Sequence, residues 1–98
     1  MKEEYKEYYK IYLDEYGISA ESRLCIEEMS ELIKEICKLE RYRGTENESA
    51  IVESLKEEIA DVLNTIEQLY LFYGPDDIDN IREAKLLRGI ERIKNTRK

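Results

Sequence analysis

Apolar positions recur every three to four residues along most of the chain. Tyr5, Tyr8, Tyr9, Tyr12 and Tyr16 mark the first stretch. Cys25, Met29, Leu32, Ile33, Ile36 and Leu39 mark the second, and Leu55, Ile59, Val62, Ile66, Leu69 and Tyr73 the third. That repeat is the period of an amphipathic helix, and the intervening Glu, Lys, Leu and Ile favour helix locally. Gly17, the polar run Arg43–Ser49 and the turn Tyr73-Gly74-Pro75-Asp76-Asp77 interrupt the pattern. The spacing predicts helices over roughly 2–16, 19–42, 49–73 and 77–96, with Ser19 as an N-cap and Asp76 or Asp77 as another. In the last stretch Ile78 and Ile81 fall on one side, and Leu86, Leu87, Ile90 and Ile93 on another. Such a helix starts late, bends or serves two interfaces. The tyrosine stripe fits burial in a core or a subunit interface, cofactor stacking being the other reading.

At 98 residues the chain makes one domain, 1–98. A chain this short favours a small bundle or an oligomer. No apolar run approaches the ~18 residues of a membrane span, and the opening Met1-Lys2-Glu3-Glu4-Tyr5 has no apolar leader core. A cytoplasmic, membrane-free protein is expected. Cys25 and Cys37, about 18 Å apart on one helix, are too distant to bridge and are expected to be buried thiols. Histidine is absent, which excludes His-ligated metal sites and His-based catalytic triads. The net charge of −7 argues against nucleic acid as a partner. The charge is uneven: residues 82–98 carry seven basic and two acidic side chains, residues 1–81 nine basic and 21 acidic. An acidic body with a basic end suits a metal beside an anion, or simply cations complementing a helix C-terminus.

Two acidic strings stand out, Glu27-Glu28-Met29-Ser30-Glu31 and Glu57-Glu58-Ile59-Ala60-Asp61. Glu28 and Glu31 share one side of their helix, Glu58 and Asp61 one side of the next, and each pair flanks an apolar stripe. If the two helices pack by those stripes, four carboxylates converge at the rim of the core. Their mutual repulsion is resolved by a divalent cation, and an all-oxygen donor set points to Mg²⁺, with Mn²⁺ as a substitute. The plainer reading is a solvated acidic face.

The strings IEEMSELIKEICK and LKEEIADVLNTIEQL carry Glu-Glu-x-x-Glu on one helix followed by Glu-x-x-Asp on the next. In this the chain resembles the MazG-like proteins of the all-α nucleoside triphosphate pyrophosphohydrolase superfamily. Lys85-Leu86-Leu87-Arg88-Gly89-Ile90-Glu91-Arg92-Ile93 is similar to the basic helix that follows in them, and the resemblance covers about residues 17–95. It implies a four-helix, MazG-like bundle completed by homo-oligomerisation, dimer or tetramer. It implies Mg²⁺-dependent hydrolysis of (d)NTP to (d)NMP and pyrophosphate, a housecleaning activity on the nucleotide pool.

By the same resemblance Glu28, Glu31, Glu58 and Asp61 are the metal ligands. Glu31 is the first candidate for general base, with Glu27 able to orient a ligand or water. Glu57 lies beside the Glu58/Asp61 side. Lys85, Arg88 and Arg92 share one face of the last helix and suit phosphates. Glu83 stands where some MazG domains have Asn, which puts base or sugar contacts there in doubt. Lys38 and Asn64 are further substrate-binding candidates. The alternative is a non-catalytic helical module that dimerises or regulates a partner. A redox carboxylate bundle is disfavoured by the missing histidine.

Overall fold

The computed structural model describes residues 1–97, all of whose regular structure is helical: α1 Tyr5–Tyr42, α2 Glu48–Tyr73 and α3 Pro75–Thr96. The domain expectation runs on to Lys98, which lies outside the described residues. No described helix is long and apolar enough to cross a membrane.

Helix α1 is broken at Gly17, whose φ of 84° and ψ of 159° are non-helical. That conformation is open to glycine and strained for any residue with a Cβ. The break reverses the chain. Tyr9 bonds Asn64 and Glu67, while Glu28 lies against Asp61, less than one turn from Asn64. Along a straight helix Tyr9 and Glu28 would stand about 28 Å apart. Residues 5–16 therefore fold back onto the later part of α2, around Asn64 and Glu67, close to where Glu28 meets Asp61. Ser19 does not cap the second half; its hydroxyl accepts from Arg23 Nη1 at 2.9 Å.

Residues 43–47 turn the chain so that α2 lies antiparallel on α1, the usual result of a short helix–helix connection. The contact is a pair of heptad rows. Glu21, Cys25, Glu28, Leu32, Glu35 and Leu39 face inward from α1, and Ile51, Leu55, Glu58, Val62 and Thr65 from α2; all are buried or half-buried. The apolar core is small: Tyr9, Cys25, Leu39 and Ile51.

The rows split the apolar stripes read from sequence. Met29, Ile33 and Ile36 do not share the core with Cys25 and Leu39. With Ile26 they form a second, exposed row, Ile33 being 61% accessible. Cys37 is likewise exposed rather than buried, and both cysteines are free. A helix with more apolar positions than one face can hold shows its period but not its phase.

Gly74 and Pro75 set the start of α3. Gly74 has a φ of 117° and Pro75 occupies the first turn, so Asp76 and Asp77 lie inside that turn rather than capping it. Tyr70 donates to Asp79 Oδ2 at 2.6 Å, tying the end of α2 to the start of α3. Beyond this hinge α3 stands away from the body. It touches α2 but not α1, and it buries no residue. The radius of gyration is 17.0 Å, against about 13 Å for a compact domain of this length.

Candidate metal centre

Four of the inward positions, Glu21, Glu28, Glu35 and Glu58, are occupied by carboxylates where a helix pair would ordinarily place leucine. Glu28 comes from α1 and Glu58 from α2, both half-buried, and Asp61 stands one turn after Glu58. Each offers one oxygen, and the three oxygens lie within 4.8 Å of one another.

The crowding shows in their acidity. Glu28 is raised above the ordinary carboxylate range by partial burial, then by the charges of Asp61 and Glu58, a hydrogen bond with Asp61 and the charge of Glu27. Glu58 is raised by partial burial and then by Asp61, Glu31, Glu35 and Glu57. Like charges held this close disfavour joint ionisation, and either a shared proton or a cation relieves them. The donors are all anionic oxygen, which matches a hard divalent ion such as Mg²⁺ or Mn²⁺.

The other sequence candidates distribute unevenly. Glu31 is near enough to act on Glu58, but it is exposed, pairs with Lys34 at 3.6 Å and stands outside the group of three. Glu27 and Glu57 are exposed neighbours acting through charge. Asn64 lies one turn beyond Asp61 and lines the adjoining cavity. Lys38 is exposed on α1. Lys85, Arg88 and Arg92 are exposed on α3. They line no part of that cavity, and α3 has no contact with α1. A single chain therefore does not bring its basic face to its carboxylates.

The cavity opens beside Glu28 and Asp61 and has a volume of about 700 Å³, within the range of small-molecule sites. Tyr5, Tyr8 and Tyr12 line it together with Glu21, Thr65 and Gln68. Sequence reasoning missed two residues that line it, Glu21 and Gln68, and a third, Glu35, whose charge acts on Glu58. Glu21 and Glu35 stand one heptad before and after Glu28 on the inward row, and each keeps a buried oxygen without a hydrogen-bond partner; so does Gln68 on α2. The Glu21/Glu28/Glu35 spacing of seven was the available signal for the first two. Gln68 had none, because a lone glutamine late in a helix reads as surface.

Tyr9 also lines the cavity. Its hydroxyl donates to Glu67 Oε1 at 2.6 Å and, more weakly, to Asn64 Oδ1 at 3.4 Å. Burial, then the Glu67 hydrogen bond and charge, push its phenol well above the usual range, so it remains a donor at every physiological pH. No family model matches the chain, and neither a curated protein nor a solved structure matches it.

Proposed function

We propose that the protein is a MazG-like nucleoside triphosphate pyrophosphohydrolase that uses Mg²⁺ and works as a homo-oligomer. The observation that carries this reading is the convergence of Glu28, Glu58 and Asp61 from two helices beside a cavity of about 700 Å³ that Glu28 and Asp61 line. A helix pair built only to hold itself together gains nothing from half-buried carboxylates on its inward rows. Paired acidic motifs at this spacing are also what gives the chain its resemblance to that family.

Glu28, Glu58 and Asp61 would hold the ion, with Glu31 joining from the exposed side if its pair with Lys34 opens. Bound there, Mg²⁺ would offset the charge of the triphosphate and polarise the phosphoryl group under attack. The rest falls to the chain's own groups. In this reading the tyrosine-lined cavity receives the nucleoside, the carboxylates fix the end at which the phosphates lie, and Glu31, once free of Lys34, is the candidate to take a proton from water. The phosphates need cations as well. Lys85, Arg88 and Arg92 supply them only if α3 of one copy lies along the acidic body of another. The exposed apolar rows give that association a surface.

Pyrophosphate release from a panel of ribo- and deoxynucleoside triphosphates, with Mg²⁺ and again with chelator, tests the reading. Release of pyrophosphate and monophosphate that stops with chelator is the expected result. Folded, assembled protein that releases none from any of them overturns it and favours the non-catalytic helical module.

A further inference from the structure

The two halves of α1 are held to the rest of the molecule unequally. Residues 18–42 bury Glu21, Cys25 and Leu39, whereas residues 5–16 bury Tyr9 alone. Tyr5, Lys6 and Leu13 are half-buried, and the rest of that segment is exposed. Among the described residues, the hydrogen bonds that tie the segment to α2 are those of the Tyr9 hydroxyl. It donates to Glu67 Oε1 at 2.6 Å and to Asn64 Oδ1 at 3.4 Å. The two halves join at Gly17, whose φ of 84° breaks the helix and which has open space where a Cβ would stand. A glycine junction of this kind can absorb a change of φ and ψ. Between the segment and the helix pair lies the cavity. Tyr8, Ile11 and Tyr12 line it from the segment, Glu28 from the second half of α1, and Asp61 and Asn64 from α2. Yet Tyr8, Ile11 and Tyr12 are 54%, 66% and 51% accessible. Large side chains that line a cavity and stay half exposed have apolar surface still to bury, and a ligand in the cavity supplies the partner.

We infer that residues 5–16 form a lid, hinged at Gly17 and latched by Tyr9 on Glu67 and Asn64, which opens to admit a ligand beside the carboxylates and closes its tyrosines over it. The way the segment is held suits a lid better than a fixed wall. One buried side chain and one short hydrogen bond secure it, so it opens at lower cost than the helix pair with its two inward rows. Latch and site share a residue, because Asn64, which accepts from Tyr9, lines the cavity one turn after Asp61. With the lid open, the cavity loses its aromatic surface and its contents meet water. With the lid closed on a ligand, the tyrosines are covered and water is kept from the ligand's contacts with Glu28 and Asp61. That the ligand is a nucleotide rests on the pyrophosphohydrolase reading; the hinge and the latch do not.

Amide hydrogen exchange along the native, assembled chain reads the opening of the lid. Without ligand, residues 5–16 are expected to exchange at least about tenfold faster than the inward rows of residues 21–39 and 51–65, because they open while the helix pair stays shut. Tyr9→Phe and Glu67→Ala remove the latch from its two sides. Each is expected to speed exchange of residues 5–16 by roughly five- to thirtyfold, the effect of one lost hydrogen bond, and to leave residues 21–39 as they were. Deoxynucleoside triphosphates with an imido bridge between the α and β phosphates, added with Mg²⁺, are expected to slow residues 5–16 at least about fivefold, since a bound ligand holds the lid shut. Exchange of residues 5–16 at the rate of the helix pair overturns the lid. So does either latch variant, folded by circular dichroism, that leaves residues 5–16 unchanged or speeds all helices alike. A protein that releases pyrophosphate while residues 5–16 ignore every analogue keeps its reaction and loses its lid. A protein that releases none, yet opens residues 5–16 alone and under control of the latch, keeps the hinged segment and loses the nucleotide as what it covers.

Discussion

Three side chains carry the candidate chemistry, and each can be neutralised without changing its size. Glu58→Gln or Asp61→Asn removes a charge from a crowded group and leaves the packing of the helices in place. Turnover in either variant is expected to fall by a hundredfold or more, the scale on which metal assistance acts. The melting temperature should hold or rise, because repulsion is relieved. Unchanged turnover in both would take these residues out of the mechanism. The same crowding sets a pH dependence. Glu28 and Glu58 are both raised above the ordinary carboxylate range, so each binds its proton more readily folded than unfolded. Their contribution to stability is complete below the unfolded glutamate value, about 4.3, and is lost as pH rises through the raised folded values. Thermal unfolding in chelator should show the melting temperature falling as mildly acidic solution is brought to neutral. Excess Mg²⁺, or the Glu28→Gln/Glu58→Gln pair, should flatten that fall. An identical slope in all three conditions would show that other groups set it.

Folding the first segment of α1 back across α2 depends on one residue and one bond. Gly17 has open space where a Cβ would stand, so Gly17→Ala is opposed by backbone strain alone. A cost of about 1–3 kcal/mol is expected for that conformation, read from the midpoint of denaturant unfolding; a neutral result would mean that the break relaxes into continuous helix. Tyr9→Phe removes the donor to Glu67 and should cost about 1–2 kcal/mol in the same measurement. An effect of a few tenths would make the bond incidental. Helix content and acidic spacing were legible in the sequence because both are local and periodic. Gly17 was legible as a boundary, though not as a reversal, because a glycine marks freedom of the backbone and not the direction it takes. Glu28, Glu58 and Asp61 meet because their separations place them on facing sides, which spacing reveals. The choice of inward row was not legible. Residues 26, 29, 33 and 36 form as regular an apolar row as any on α1, and only the packing of α2 decides between them. Glu21 and Gln68 were hidden for a related reason, since a buried polar residue looks like a surface one until its neighbours are in place.

At the scale of the molecule, the single chain leaves its apolar surface unfinished. Leu86, Leu87, Ile90 and Ile93 on α3 are all exposed, as are Ile59, Leu63 and Ile66 on α2 and the Ile26/Met29/Ile33/Ile36 row on α1. Each row repeats at heptad spacing, the pattern by which helices pack against other helices. Scattered exposed apolar residues need no explanation, but contiguous rows on three helices are the surface the proposed homo-oligomer would use. A second copy suits it on charge. Residues 82–98 are net positive and residues 1–81 strongly negative, so in the proposed assembly α3 of one copy would be attracted to the acidic body of the next while like ends would repel. Sedimentation equilibrium is therefore expected to give a mass at least twice the 11.7 kDa of the chain. Ile33→Glu with Ile36→Glu places charge in the exposed α1 row without touching Cys25, Leu39 or the carboxylates. This variant should sediment as a monomer, keep its helical circular dichroism and bind Mg²⁺ as before. On the proposed function it should also lose pyrophosphate release, because the cations of α3 would no longer reach a neighbour's carboxylates. A native chain that sediments as a monomer would leave the apolar rows to another partner. Full activity in the dissociated variant would show instead that α3 swings onto its own body in solution.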